Sequence, residues 1–361
     1  MNLALRLAAQ GLYTTQPNPR VGCVIVCDQQ IVGQGAHLKA GEPHAEVFAL
    51  RQAGALAEGA DVYVTLEPCS HFGRTPPCVQ AVIAAKPKRV IIAMQDPNPL
   101  VAGRGVAALR AQGIEVVVGL LEQEAVALNA GFVSRMTRGL PYVRSKIAAS
   151  LDGRTALSNG KSQWITGESA RQDVQHWRAQ SCAILTGIGT VLADDPSMTV
   201  RLPTATRQPL RVIVDSQLQL PLDSKMLEPS MLAQSPVLVA YAADTQQRAA
   251  ALLAKGAELL CIANPAQQVD LRQLLQVLAQ RGVNEVLVEA GQGLNGALLH
   301  AGLIDEFVFY YAPKLMGSAA HGMFAMPEFT AMQQVPELQV LDVRQVGTDI
   351  RVRAKPIAPT V

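Results

Sequence analysis

Between Pro43 and Cys78 the chain spaces one histidine, one glutamate and two cysteines in a way that few folds can use. His44-Ala45-Glu46 follows Pro43 directly, then come Glu67-Pro68-Cys69 and, after eight residues, Cys78. One imidazole and two thiolates are borderline and soft donors of the kind that hold zinc, and three protein ligands leave a fourth position open. Structural zinc normally takes four protein ligands, so an open position marks chemistry at the metal. Glu46 stands two residues from His44, too near in sequence to be a comfortable fourth ligand but well placed to handle protons. Pro43 pre-sets a helix opening at His44 and running to 53. An apolar strand over 61–66 then delivers Cys69 just past its C-terminal end, and Cys78 opens a further helix to 85.

The pattern His-x-Glu, then Pro-Cys, then a second Cys is that of the zinc deaminases, in which the glutamate shuttles protons and is not a ligand. Their second half is generally Pro-Cys-x-x-Cys, and the longer interval here leaves a plain alternative of two buried cysteines and an incidental surface histidine. The filling of the interval argues against it. Ser70, His71, Gly73, Arg74 and Thr75 are polar or turn-forming, and Pro76-Pro77 stiffens the backbone before Cys78, as suits a wall of a pocket for a polar substrate. No fourth ligand is evident within the motif, although His71 is a candidate for one.

The whole run from Thr65 to Cys78 resembles the zinc loop of the bifunctional riboflavin-biosynthesis deaminase/reductase family. Later stretches continue the resemblance in order: Ser145 to Ala156, Ser162-Gln163-Trp164-Ile165-Thr166, Thr190 to Pro196, and Val288-Glu289-Ala290-Gly291. It implies an α/β fold of two parts, a cytidine-deaminase-like zinc domain in α/β/α layers over 1–138 and a dihydrofolate-reductase-like reductase domain over 139–361. It also implies one Zn²⁺ per chain on His44, Cys69 and Cys78, Glu46 as the catalytic proton carrier, and NADPH as the second cofactor. The family's NADPH contacts fall on Ala148, Trp164, Thr190, Asp194, Ser216 and the turn Gly291, Gln292, Gly293, Leu294, Asn295, Gly296, Ala297. Its substrate contacts fall on Ser162, Arg178, Met198, Arg201 and Glu289, where two arginines and a serine would make a reasonable phosphate clamp. His37, Asn18, Arg74, Asp96 and Asn98 are weaker candidates for holding the deaminase substrate.

The residues support this division independently. A chain of 361 residues, 49% hydrophobic and 17% charged, is expected to hold two domains with sizeable cores. Apolar strands near 21–27, 31–35, 61–66, 89–94 and 114–119 alternate with helices over 1–10, 44–53, 78–85, 105–112 and 122–136, the rhythm of an α/β layer. Residues 137–141 read as the boundary. Beyond them strands are expected near 142–149, 183–186, 211–214, 237–241, 258–262 and 285–289, with helices over 169–179, 245–254 and 271–280. Strands near 306–311, 338–343 and 350–354 with little helix between them make a late antiparallel portion. Gly291-Gln292-Gly293-Leu294-Asn295-Gly296 follows a strand and opens a helix, as a phosphate-binding turn does, although it comes too late in its domain for a Rossmann unit. Asp96-Pro97-Asn98-Pro99, just past a strand end, reads equally as a second pocket wall or as a turn.

Net charge of +2 without a basic run gives no support for nucleic-acid binding. No apolar run reaches the roughly 20 residues of a membrane span. The six cysteines are too sparse for a disulfide framework, and Cys23 and Cys27 on one strand read as core. The opening residues lack a charged leader and a cleavage site, so they read as a first helix. A cytoplasmic protein with no nucleic-acid or membrane partner is therefore expected; the resemblance implies a small pyrimidine ribotide as substrate, and a homo-oligomer is expected. Two rival readings stay open: a nucleoside or tRNA-base deaminase with an unrelated C-terminal domain, and a non-catalytic module stabilised by zinc.

Overall fold

The computed structural model describes residues 1–70, 77–99 and 101–357. It divides into two compact units, Met1–Leu140 and Pro141–Val361. No helix among the described residues is long and apolar enough to cross a membrane.

The first unit is a five-stranded sheet in the order β2-β1-β3-β4-β5. The hairpin β1 (Gly22–Cys27) and β2 (Gln30–Ala36) is antiparallel, and β3 (Asp61–Leu66), β4 (Arg89–Met94) and β5 (Glu115–Val118) run parallel to one another. Packed around it are α1 (Asn2–Ala9), α2 (Ala45–Ala53), α3 (Cys78–Ala84), α4 (Arg104–Ala111), α5 (Glu122–Leu128) and α6 (Ala130–Arg138). The core joins Cys23, Ile25, Val62, Val64 and Ile92 of the strands to Ala45, Ala49 and Leu109 of the helices. α2 sits nearly on the backbone of β2: a Cβ on Gly33 would lie 2.2 Å from the carbonyl oxygen of Ala49, and one on Gly35 2.2 Å from that of Ala45. That approach, open only to glycine under an alanine face, fixes the N-terminus of α2 over the sheet end.

One expected helix, over 122–136, is two. Asn129 leaves helical geometry at φ −113° and ψ 23°, because its buried amide pairs with the backbone of Arg20. Asn129 Oδ1 accepts from Arg20 N–H at 2.8 Å and Nδ2 donates to Arg20 O at 3.0 Å. The side chain thus competes successfully with the helix for its own backbone geometry.

The second unit is built on a nine-stranded sheet in the order β11-β10-β9-β8-β12-β6-β13-β16-β15. Its strands are β6 (Tyr142–Ser150), β8 (Ala183–Gly187), β9 (Leu210–Val214), β10 (Val237–Tyr241), β11 (Glu258–Cys261), β12 (Glu285–Val288), β13 (Glu306–Ala312), β15 (Leu338–Val346) and β16 (Asp349–Pro356); β7 (Arg154–Ala156) and β14 (His321–Gly322) form a small ladder apart. β11 through β13 in that order are parallel, whereas β16 and β15 are added antiparallel, which agrees with the late antiparallel portion expected. The helices are α7 (Glu168–Gln180), α8 (Ile188–Asp194), α9 (Pro229–Gln234), α10 (Ala249–Ala254), α11 (Leu271–Gln280) and α12 (Gln292–His300). α10 starts later than the 245 expected, because both oxygens of Asp244 accept backbone N–H groups, from Arg248 at 2.7 Å and Ala249 at 3.1 Å, and so hold the entry turn outside the helix. α8 and α9 had no helical signal in the sequence reading; both are short and lean on the core.

The chain lays down β6, steps over one position to β8, moves outward to β11, and returns to insert β12 between β8 and β6. The reversal of direction lies at β8, β12 and β6, and crevices beyond the C-terminal strand ends at such a point are where α/β sheets take ligands. At the opposite, N-terminal ends of β6, β12 and β13, buried Arg144 bridges Glu285 at 3.3 Å and Glu306 at 3.1 Å. That end is locked by charge pairs.

Candidate functional site

In the first unit three separate elements bring the donors together. His44 is the N-cap of α2, Cys69 lies just beyond the end of β3, and Cys78 is the first residue of α3, preceded by Pro77 as N-cap. The ligand atoms of His44, Cys69 and Cys78 all lie within 4.8 Å of one another. His44 Nδ1 is 3.1 Å from Cys78 Sγ and 3.7 Å from Cys69 Sγ, and Cys78 N–H donates to Cys69 Sγ at 3.2 Å. A hydrogen bond from the Cys78 thiol, helped by His44, holds the Cys69 thiol well below the usual thiol range, while the same thiol–thiol bond and burial push Cys78 up. Two sulfurs and one imidazole nitrogen facing a common point fit a zinc ion. Among the described residues the cluster has three donors. His71 and Arg74 lie outside the described residues.

Glu46, in the first turn of α2, is 3% exposed, and its Oε2 has no hydrogen-bond partner. Burial pushes its carboxyl up to about 7. A cavity of about 500 Å³ is lined by Glu46, His44 and Cys69 together with Asn18, His37, Asp96 and Asn98. His37 is 2% exposed; its Nδ1 donates to Pro43 O and its Nε2 accepts from Asn18 Nδ2, both at 3.2 Å. Burial lowers its basicity, so this tautomer is neutral and orients the Asn18 amide beside the cavity. Asp96 plays both of the roles left open for it. Its Oδ1 accepts Asn98 N–H at 2.8 Å in a local turn, and both residues line the cavity.

Glu67, Phe132 and Arg135 also line this cavity, and the sequence reading did not select them. Glu67 could have been noticed from its place two residues before Cys69. Phe132 and Arg135 come from α6, whose amphipathic pattern says only that one face is buried.

In the second unit the expected cofactor residues spread along the C-terminal ends of neighbouring strands. Ala148 is near the end of β6, the Gly291 turn follows β12, Thr190 and Asp194 lie on α8 after β8, and Ser216 follows β9. Gly291 is the N-cap of the nine-residue α12. A Cβ on Gly291 or Gly293 would meet nothing within 4 Å, whereas one on Gly296 would lie 2.1 Å from Ala325 O. The first two glycines therefore leave open space at a helix N-terminus, which fits a diphosphate, and the third serves packing. Asn295 is buried, accepting from Ser145 Oγ at 3.0 Å and donating to Ala290 O at 2.9 Å, so it braces the turn from behind. Gln292 and Leu294 are half-buried and Ala297 is exposed. Ser216 Oγ accepts Val269 N–H at 3.2 Å. Trp164 is 64% exposed, with the Arg171 guanidinium 4.7 Å from its ring centre.

Two expected substrate residues are paired with each other. Arg178 donates to Glu289 through two nitrogens, at 2.6 and 3.0 Å, and to Thr199 O at 2.9 Å. Lys146 Nζ stands 3.7 Å from the same carboxylate. Burial pushes Glu289 up, but Arg178 and Lys146 outweigh it and hold the carboxyl at about 2. Ser162 Oγ donates to Asp194 Oδ1 at 3.3 Å. Met198 is 3% exposed and packs in a cluster with Ile184, Val191 and Ile213, so its backbone is what it can offer a ligand. The side chain of Arg201 is exposed, and its backbone N–H donates to Gln175 Oε1 at 2.9 Å.

Known proteins share this layout. Residues 1–94 match the family model for the cytidine and deoxycytidylate deaminase zinc-binding region, and residues 141–352 match that for the RibD C-terminal domain. The chain is 48% identical to the riboflavin biosynthesis protein RibD of Escherichia coli, covering 97% of this chain and 96% of that protein. Among solved structures, RibD of Acinetobacter baumannii superposes with a TM-score of 0.90 at 50% identity, over 99% of this chain and 98% of that one. A diaminohydroxyphosphoribosylaminopyrimidine deaminase/5-amino-6-(5-phosphoribosylamino)uracil reductase from Thermotoga maritima does so with a TM-score of 0.85 at 33% identity, over 99% and 97%.

Proposed function

The chain belongs to the RibD family of bifunctional riboflavin-biosynthesis enzymes, and we propose that its two compact units divide that work between them, deamination in the first and reduction in the second. The protein is a hydrolase and an oxidoreductase, with zinc and NADPH as cofactors. Its substrate is a small molecule, 2,5-diamino-6-ribosylamino-4(3H)-pyrimidinone 5′-phosphate. Deamination gives the corresponding uracil and ammonia, and reduction of the ribosyl chain then gives 5-amino-6-ribitylamino-uracil 5′-phosphate.

One observation carries the assignment of the first step: the donors of His44, Cys69 and Cys78 converge beside a buried glutamate with a spare oxygen. Zinc held by those donors supplies the Lewis acidity that lets water act as a nucleophile near neutral pH. Glu46 takes the proton of the attacking water and gives it to the ring nitrogen; it then moves the proton of the newly added hydroxyl to the amine, which leaves as ammonia while the carbonyl forms. A carboxyl balanced near neutrality can do both. Neutral His37 keeps Asn18 turned beside the cavity, and Asp96 and Asn98 form the facing wall.

In the second unit the open turn at Gly291 and Gly293 receives the diphosphate of NADPH, Trp164 offers a flat apolar face, and Ser216 presents a hydroxyl without repelling a 2′-phosphate. NADPH bound there supplies the hydride for C1′ of the sugar. Glu289, Arg178, Ser162, Arg201 and the Met198 backbone are assigned to the substrate, with Arg178 and Glu289 held in register by their mutual pair. A cytoplasmic homo-oligomer without nucleic-acid or membrane partners completes the reading. Val340 and Val343, 58% and 60% exposed on the edge strand β15, support self-association, since a long apolar edge favours pairing with another chain.

A coupled assay on the diaminopyrimidine ribotide tests the assignment. Ammonia release followed by NADPH oxidation is expected, in that order. Ammonia without NADPH oxidation would refute the reading of the second unit, and NADPH oxidation only of pre-deaminated substrate would refute that of the first.

A further inference from the structure

We propose that Glu67 is a positioning residue for deamination, fixing the wall that carries Asp96 and Asn98 against the metal centre; this rests on the first unit being the deaminase. Two buried glutamates line the same cavity, and they are engaged in opposite ways. Glu46 has an oxygen without a partner, whereas both oxygens of Glu67 are occupied by backbone donors. Oε2 accepts from Asp96 N–H at 3.2 Å and Gly103 N–H at 3.0 Å, and Oε1 accepts from Val106 N–H at 3.0 Å.

Those donors are not scattered. Gly103 is the N-cap of α4, in left-handed geometry, and carries no side chain with which to cap the helix. Glu67 does so from just past the end of β3, taking the N–H of the cap itself and that of the third helical residue. The same carboxylate holds the first residue of the Asp96–Asn98 turn. Its own N–H donates to Met94 O at 3.0 Å, so the link between the two strand ends is closed from both directions. The fit is tight: a Cβ on Gly105 would lie 2.3 Å from Pro68 O and 3.1 Å from Glu67 Oε1.

Glu67 stands two residues before the ligand Cys69, so one side chain sets the distance between the metal ligand and the pocket wall. Charge-assisted bonds to several backbone donors are stronger than neutral ones, and their loss is felt at each donor. An amide in place of the carboxylate would turn an NH₂ group toward at least one backbone N–H, so Glu67→Gln is nearly isosteric yet breaks the arrangement.

The test combines amide hydrogen exchange with steady-state kinetics on the full-length, zinc-loaded chain. In Glu67→Gln the amides of Asp96, Gly103 and Val106 are expected to exchange at least about tenfold faster. Zinc content stays at the wild-type level, and KM for the ribotide rises about tenfold while kcat stays within about threefold. If Glu67 acts through Asn98, combining Glu67→Gln with Asn98→Ala raises KM no further than Asn98→Ala alone. Glu67→Asp, one methylene shorter but still charged, gives the same pattern in milder form and serves if the glutamine variant does not fold. Unchanged exchange at the three amides overturns the proposal. So does a collapse of kcat at constant KM, which would make Glu67 a proton carrier, or loss of zinc, which would make it a support of the metal alone. The exchange result needs no substrate. A wild-type chain that releases no ammonia would instead refute the deaminase reading, and the kinetic role with it.

Discussion

His44 Nδ1 stands 3.1 Å from Cys78 Sγ, although 34 residues separate them in the chain. The nitrogen is brought there because α2 rests on Gly33 and Gly35, and the sulfur because α3 opens at Cys78. With Cys69 beside them, these donors form a site that helix and strand ends hold in place.

Removing one sulfur is therefore expected to empty the site without disturbing the second unit. Cys78→Ser should lose zinc and deamination together, yet still reduce the deaminated ribotide when it is supplied directly. Metal analysis by atomic absorption, paired with NADPH oxidation on that intermediate, checks both halves. Retention of full zinc would argue against Cys78 as a ligand.

Glu46→Gln keeps the shape of the side chain and removes its ability to accept a proton. Zinc content should hold, while the deamination rate drops by at least about a hundredfold, the low end for loss of a general acid–base group. Reduction of supplied intermediate should stay at the wild-type rate. Loss of both activities at once would contradict independent units.

Within the glycine turn the structure separates open positions from a packed one. Gly296→Ala would push a methyl into Ala325 O and should lower stability by about 1–3 kcal/mol, visible as a lower Tm. Gly293→Ala adds its methyl in open space, so Tm should hold while KM for NADPH rises. The opposite assignment of effects would place the cofactor elsewhere.

Glu289 makes stability depend on acid pH in a stated direction. Arg178 and Lys146 hold its folded carboxyl at about 2, below its ordinary 4.5. The stabilisation is thus fully present above about pH 4.5 and is lost as pH falls toward 2, since the unfolded chain then binds a proton that the folded chain does not. The shift corresponds to about 3 kcal/mol as an upper bound. Glu289→Gln should be less stable than wild type at neutral pH, with the gap closing between pH 4.5 and 2 in urea melts. A gap that stays constant across that range would show that the pair contributes no pH-linked stability.

Much of the chemistry was legible before any fold was drawn. The donor types at His44, Cys69 and Cys78, a glutamate two residues from His44, and the strand followed by Gly291 and Gly293 are local patterns, and local patterns survive in one dimension. So is the alternation of strands and helices, because the side-chain periods of the two elements differ. The late antiparallel addition of β16 and β15 could be expected for the same reason.

What the sequence could not decide are the pairings between distant residues. Asn129 breaks a helix for the sake of Arg20, 109 positions away, and Arg178 is claimed by Glu289 across 111. Met198, read as a ligand contact, puts its side chain in the core. Of two buried glutamates on one cavity, only the folded chain determines that Glu46 keeps an oxygen spare while Glu67 spends both on backbone N–H groups. Residue type and spacing therefore determined which atoms can bind metal, phosphate or a proton. The tertiary structure decided which of them are already satisfied, because a buried polar group is used up by whichever partner packing brings within about 3 Å.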